Sequence, residues 1–235
     1  MMNRLFLLFF CAWLWSGAVV GQTDSENFTP DRPALMKKLV ALPCNIQESD
    51  SKALILSKIE QFLVAYQPDP AYPDDALSKE SVLWALRGVQ SGGYGIGAVI
   101  ADRGEGLLHG AHNAQIQQNR SDLHAEMTLL TEFESKKKFR KYLKSWAFTG
   151  GDDVYASSLT VYSSAEPCPM CFVRLSIAGV KTKYVATGPD DGMASRVDCL
   201  PPFWAELGKR HPVEKAQSAP VLQRIAHVLF FSYLL

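Results

Sequence analysis

The pattern of apolar and turn residues predicts an α/β fold, and three stretches carry that prediction. GGYGIGAVIAD (92–102) reads as a turn running into a buried strand, DRGEG (102–106) as a tight turn, and LLHGAHN (107–113) as the returning strand of a hairpin. SLTVYSS (158–164) and TKYVATG (182–188) read as two further strands, with a helical stretch over 168–178 between them. Strand, helix, strand with short connections is the signature of a parallel crossover, so the sheet should be mixed.

The remaining elements follow in order. MMNRLFLLFFCAWLWSGAVVGQ opens with one positive charge at Arg4 and an apolar run from Leu5 to Trp15, followed by the small residues Ser16, Gly17, Ala18 and Gly21. That is the layout of a signal peptide over 1–21, cut after Gly21. The run is short of the roughly 20 residues that a membrane span needs, so a membrane is a partner only if the segment stays uncleaved. The expectation is a secreted or periplasmic protein. From Gln22 the chain is polar (QTDSENFTPDR) and reads as a flexible lead-in. Over 50–67, Ile55, Ile59, Phe62, Leu63 and Tyr66 recur at helical spacing, with Asp50 placed to cap. PDPAYPDD (68–75) breaks regular structure, and Ser78 opens a second helix through Val82, Leu83 and Leu86 to about Val89. A helix near His124 carries Met127, Leu129, Leu130 and Phe133, and SAPVLQRIAHVLFFSYLL supplies a last one, with Ser218 and Pro220 as start signals. The domains expected are thus 1–21 as signal, 22–77 as a partly helical extension, and 78–235 as the main unit.

Composition sets outer limits. In 235 residues, 47% are apolar and 20% charged, the balance of an ordinary globular chain. Lys plus Arg equals Asp plus Glu at 24 each, so no global field points to nucleic acid or to an anionic membrane. A local basic run does exist: Lys136, Lys137, Lys138, Arg140, Lys141 and Lys144. Such a cluster can grip phosphates, although Glu132 and Glu134 beside it also fit a solvated face. Asn27 and Asn119 head glycosylation sequons, short enough to arise by chance. Of five cysteines, Cys11 lies in the signal; Cys44 and Cys199 fit either a disulfide of an exported protein or two buried thiols.

The other two cysteines carry the chemistry. Cys168 and Cys171 lie in SSAEPCPMC, a C-x-x-C that by itself fits a redox pair, half of a structural zinc site, or part of a catalytic one. A second C-x-x-C is missing, which counts against a structural four-thiolate site. HAEM upstream completes H-A-E…P-C-P-M-C, the zinc-deaminase pattern. The residue types suit hydrolytic deamination. His124, Cys168 and Cys171 supply three ligands and leave the fourth tetrahedral position to water, whose pKa Zn2+ lowers to about 7, so that hydroxide forms near neutral pH. Glu126, in the same helical turn as His124, stays off the metal and shuttles a proton to the ring nitrogen and leaving amine. Cys168 and Cys171 at a helix start gain from the positive helix end, and Pro167 and Pro169 suit that position.

With GAVIAD (97–102), Asn113 of GAHN, HAEM and EPCPMC (166–171), the chain resembles the cytidine-deaminase-like superfamily, in its branch of tRNA adenosine deaminases and guanine deaminases. The resemblance runs from about Ser78 to the C-terminus. It implies a three-layer α/β/α sandwich around a five-stranded mixed sheet, preceded here by an N-terminal helical extension. It also implies that HPVEKAQSAPVLQRIAHVLF supplies the last strand and helix, that Asn113 contacts substrate, that the Ala125 N–H faces the reacting carbon, and that the chain forms a homodimer. Four features depart from the family: YGIGAV lacks the usual proline, the stretch between the zinc motifs is long, 22–77 has no counterpart, and an export signal is unusual. The expected activity is an aminohydrolase acting on a small nucleobase or nucleoside of purine type, guanine or adenosine. The alternatives are a nucleic-acid deaminase of tRNA or toxin type, less favoured, and a non-catalytic zinc-stabilised binding protein.

Overall fold

The computed structural model describes residues 31–143, 157–186 and 201–235. Its centre is a five-stranded mixed sheet of β1 (Gly97–Asp102), β2 (Gly106–His112), β3 (Leu159–Ala165), β4 (Lys181–Ala186) and β5 (Val213–Lys215), in the order β2-β1-β3-β4-β5. β1 runs antiparallel to both β2 and β3, and β3, β4 and β5 run parallel. The parallel half follows from the crossover of β3 through a helix, α6 (Pro169–Ala178), to β4. Helices cover both faces, so the three-layer sandwich expected from the resemblance is the architecture observed.

The two faces bury different cores. On one, α5 (Ala125–Ser135) and α6 pack Leu129, Leu130, Phe133, Cys171 and Leu175 against Ala98, Ile100, Leu159 and Val161 of β1 and β3. On the other, α3 (Asp75–Gln90) and α8 (Pro220–Phe230) are joined by α1 (Arg32–Val40) and α2 (Lys52–Ala65) in one apolar cluster that includes Leu35, Ile59, Leu86 and Leu222. The N-terminal helices therefore share a core with the sandwich rather than forming their own. α3 lies so close to β1 that a Cβ at Gly97 would overlap the backbone of Ser81 and Ala85.

Several element boundaries differ from the expectation. Ser51, not Asp50, caps α2: its Oγ accepts from the Leu54 N–H at 3.3 Å, while Asp50 accepts from the Gln47 N–H and Lys58. α3 begins at Asp75 rather than Ser78, inside the stretch read as a breaker. α1, capped by Asp31, the short α4 (Gln115–Gln118) and α7 (Pro202–Arg210) were not anticipated. A tight 3₁₀ turn, Lys137–Tyr142, closes the end of α5. Residues 1–21, Cys199, Asn27 and Lys144 lie outside the described residues. Cys44 is buried, and burial pushes its thiol up to about 11. Among the described residues no helix is long and apolar enough to cross a membrane.

Candidate zinc centre

β3 delivers the cysteine motif. Its last residue, Ala165, pairs with Ala186 of β4, and the next N–H, that of Glu166, donates to the Ala186 carbonyl at 2.9 Å. The chain then turns at Pro167, Cys168 occupies the N-cap position of α6, and Pro169 follows at the first helical position. The missing N–H of Pro169 costs nothing there, and its fixed φ suits the helix start. Cys171 lies one turn further in and is buried. His124 is likewise the N-cap residue of α5, with Ala125 and Glu126 in its first turn. Two helix N-termini thus converge on one point, each bringing positive partial charge to it.

Donor atoms of His124, Cys168 and Cys171 all lie within 4.8 Å of one another, and Cys168 Sγ is 3.4 Å from His124 Nδ1. A tetrahedral zinc with ordinary Zn–S and Zn–N bonds holds its ligands about 3.5–3.8 Å apart. The donor set fits that ion in both spacing and softness. The proton balance agrees. The hydrogen bond from Cys171 is the main cause that brings the Cys168 thiol down to about 4, with the His124 ring adding to it. That same shared proton, together with burial, pushes Cys171 up. His124 is raised by its contact with Cys168. Two groups, His124 and Cys171, gathered around the Cys168 thiolate are what a divalent cation would displace protons from.

Glu126 is 3% exposed, and burial raises its carboxyl above the usual carboxylate range. Ser163 Oγ donates to Glu126 Oε1 at 2.8 Å, from the β3 residue opposite Ala98. Ser163 was not singled out from the sequence; its inward position on β3, five residues before Cys168, was the available signal. Arg174 on α6 donates to both carboxylate oxygens of Glu134 on α5 at 2.7 Å, clamping together the two helices that bring the ligands.

The other expected site residues lie nearby. Ala125 is fully buried at the first position of α5. Asn113 follows β2 directly; its N–H donates to the Ile96 carbonyl at 2.9 Å, beside Gly97. The Gly97 N–H in turn donates to Ser164 Oγ at 3.0 Å, which places Asn113 at the same end of the sheet as Ser163 and Glu126. The Asn113 side chain donates to Gln115 Oε1 at 2.7 Å and accepts from the Gln115 N–H at 3.1 Å. The basic run is elsewhere. It follows the C-terminal end of α5, about 16 Å along an 11-residue helix from His124. Lys141 pairs with Glu105 at the hairpin tip at 2.6 Å, and Lys136 contacts Glu132 at 3.7 Å and His109 at 2.9 Å.

The model of the cytidine and deoxycytidylate deaminase zinc-binding region matches residues 72–187, which contain all three ligands and Glu126. Through that stretch the chain belongs to the cytidine and deoxycytidylate deaminase zinc-binding family. A tRNA-specific adenosine deaminase of Bacillus subtilis (strain 168) is 32% identical over 120 residues, 51% of this chain and 65% of that relative. The chain thus spans just under two thirds of that relative's length. Among solved structures, a guanine deaminase from Nitrosomonas europaea is 20% identical, with 73% of this chain and 92% of the other covered and a TM-score of 0.49. A tRNA:A34 deaminase of wobble-position A-to-I editing is 19% identical, with 65% and 98% covered and a TM-score of 0.47. As in that family, His124, Cys168 and Cys171 form the zinc-binding cluster.

Proposed function

We propose that the chain is a hydrolytic aminohydrolase that replaces the exocyclic amine of a small purine nucleobase or nucleoside, guanine or adenosine in type, with oxygen and releases ammonia. The observation that carries this reading is the buried carboxyl of Glu126, held by Ser163 at the cluster of His124, Cys168 and Cys171. Zinc supplies a Lewis acid that makes water nucleophilic near neutral pH. Glu126 carries the two protons of the attacking water in turn, one to the ring nitrogen, where it stays, and the other to the exocyclic amine, which leaves as ammonia as the C=O forms. The Ala125 N–H, at the positive end of α5, faces the reacting carbon, and Asn113 releases Gln115 to bind the substrate.

The purine preference is supported by EPCPMC and by the adenosine deaminase at 32% identity. That relative acts on tRNA, so a nucleic-acid substrate is the second reading. Against it stands the basic run, which lies at the far end of α5 with Lys136 and Lys141 already engaged by carboxylates. Export through residues 1–21 and a homodimeric assembly complete the proposal; N-terminal sequencing of the mature protein and light scattering test them.

The experiment is ammonia release by the zinc-loaded chain from guanine, adenine, cytosine, their nucleosides and a short RNA, with Glu126→Gln as the blank. Turnover of a free base or nucleoside, insensitive to salt, is expected. Activity confined to RNA and falling steeply with salt would replace the first reading by the second. Equal ammonia release by Glu126→Gln would remove Glu126 from the reaction.

A further inference from the structure

As a sequence, Asn119-Arg120-Ser121 is short enough to arise by chance, but the fold gives this sequon a particular place. Asn119 is the C-cap of α4 with a φ of 49°, in the left-handed region that Asn tolerates better than most residues. All three residues are exposed. The Arg120 guanidinium turns away to Asp122, at 2.6 Å. Among the described residues, neither the Asn119 side-chain amide nor the Ser121 hydroxyl has a hydrogen-bond partner. The corner itself is well held. The Ala114 N–H donates to the Leu123 carbonyl at 2.9 Å, Gln115 Nε2 donates to the Ser121 carbonyl at 2.9 Å, and Gln117 Nε2 donates to Ser91 Oγ at 2.7 Å. The segment it crowns starts at Asn113, the substrate-contact residue of the proposed reaction, and ends at His124, a zinc ligand.

We propose that Asn119 accepts an N-linked oligosaccharide as the chain is exported. The inference rests on export through residues 1–21. An acceptor amide must face solvent in the finished fold, because sugar hydroxyls are costly to bury unpaired, and this one does. The donor is an oligosaccharide carried on a lipid pyrophosphate. The Asn119 side-chain nitrogen attacks the anomeric carbon of that sugar. The N–C bond forms, the bond from the same carbon to the pyrophosphate oxygen breaks, and the lipid pyrophosphate leaves with the electron pair while the amide gives up one proton. Ser121, two residues on, supplies the hydroxyl that the acceptor pattern requires. Because the corner points outward between Asn113 and His124, the sugar stands on the rim of the proposed site and not inside it. Turnover of a small purine should therefore be independent of the glycan.

The test expresses the full chain with its own leader in eukaryotic secretory cells and recovers it from the medium, with Asn27→Gln throughout so that the other sequon adds no sugar. An amidase specific for N-linked glycans should lower the mass of the secreted protein by one oligosaccharide and leave an aspartate in place of Asn119. Ser121→Ala should abolish that shift, and Ser121→Thr should keep it. The Ser121 side chain is exposed and unbonded, so neither change should unfold the protein, and zinc content checks this. A secreted chain with 119–121 intact and no mass shift would overturn the proposal. A chain retained in the cells with residues 1–21 still attached would overturn the export reading, and the acceptor with it. Ammonia release from guanine by the zinc-loaded protein should be the same before and after the sugar is removed. A rise of ~10-fold or more on removal would put the glycan across the mouth of the site and overturn its place on the rim. No ammonia from either form would overturn the proposed activity, while the mass shift alone decides the acceptor.

Discussion

Two carboxylate sites in this fold are almost equally buried and differently equipped. Asp74 and Asp75, at the start of α3, are 4% and 1% exposed, and Glu126 is 3% exposed. Asp74 accepts from the Tyr162 hydroxyl, from Lys183 through both of its oxygens, and from the Gln217 N–H. Asp75 accepts from the Tyr66 hydroxyl at 2.6 Å and from the Asp69 and Ala219 N–H groups. Between them they tie α2, β3, β4 and the approach to α8 to one point. Glu126 has one side-chain hydroxyl, Ser163, and lies next to thiols. Asp74 and Asp75 are held by donors from distant elements and build architecture; Glu126, whose donors are its own N–H, Ser163 and Cys171 and whose carboxyl burial raises, is equipped to take up and release a proton. The difference teaches how one burial level serves two purposes: where the donors come from decides.

The contrast predicts opposite failures. Glu126→Gln should lower turnover about a thousandfold, within the usual range for loss of a general acid–base group, while zinc content and Tm stay near native. Ammonia release and metal analysis on the same sample check it, and a large Tm loss would mean that Glu126 is architectural after all. Asp74→Ala should do the reverse. It strands Lys183, Tyr162 and the Gln217 N–H, which costs about 3 kcal/mol because Lys183 can still reach water, or a Tm drop of about 6–12 °C. The refolded fraction should keep its zinc and its turnover per zinc.

Ser163→Ala sharpens the comparison from within the site. Removing the one hydroxyl donor takes away an interaction that holds the Glu126 carboxyl down, so burial raises it further. Turnover at neutral pH should fall about tenfold, the worth of one hydrogen bond to a charged group. The acid limb of the kcat/KM profile should shift to higher pH, and Ser163→Thr should restore it in part. An unshifted limb with normal turnover would mean that Ser163 serves packing alone.

The two carboxylate sites were not equally visible in the sequence. HAEM and EPCPMC reveal the ligand set because each half is local: a histidine at one helix N-cap, two cysteines one turn apart at another. The strands were legible for the same reason, since alternation and turn residues act over a few positions. Asp74 and Asp75 were hidden inside PDPAYPDD, which reads as a breaker. Four of their partners, Tyr162, Lys183, Gln217 and Ala219, lie 88–144 residues away, and the near ones, Tyr66 and Asp69, do not mark a helix start in the sequence. α1 was missed on similar grounds: Leu35 and Leu39 find their core only when α8 is in place. Ser163 is a middle case, visible as an inward strand position but not as a partner of Glu126 until the fold is closed.

His227 extends the comparison to a buried base, and its effect should be the smallest. Burial, with the Lys38 charge beside it, brings the ring down from the ordinary 6.5 to about 4. Between those two values the unfolded chain protonates the ring and the folded chain does not, so the unfolded state binds more protons. Stability therefore rises with pH across that window. The contribution is fully present above about 6.5 and is lost as pH falls through about 4. Tm measured from pH 7 down to 4 should decline in the native chain and decline less in His227→Gln. Exposed carboxylates contribute to both curves alike, so the difference between the two isolates the imidazole. A parallel pair of curves would mean that the ring reaches water when protonated, and that burial on the α8 side constrains charge less tightly than it does around Glu126.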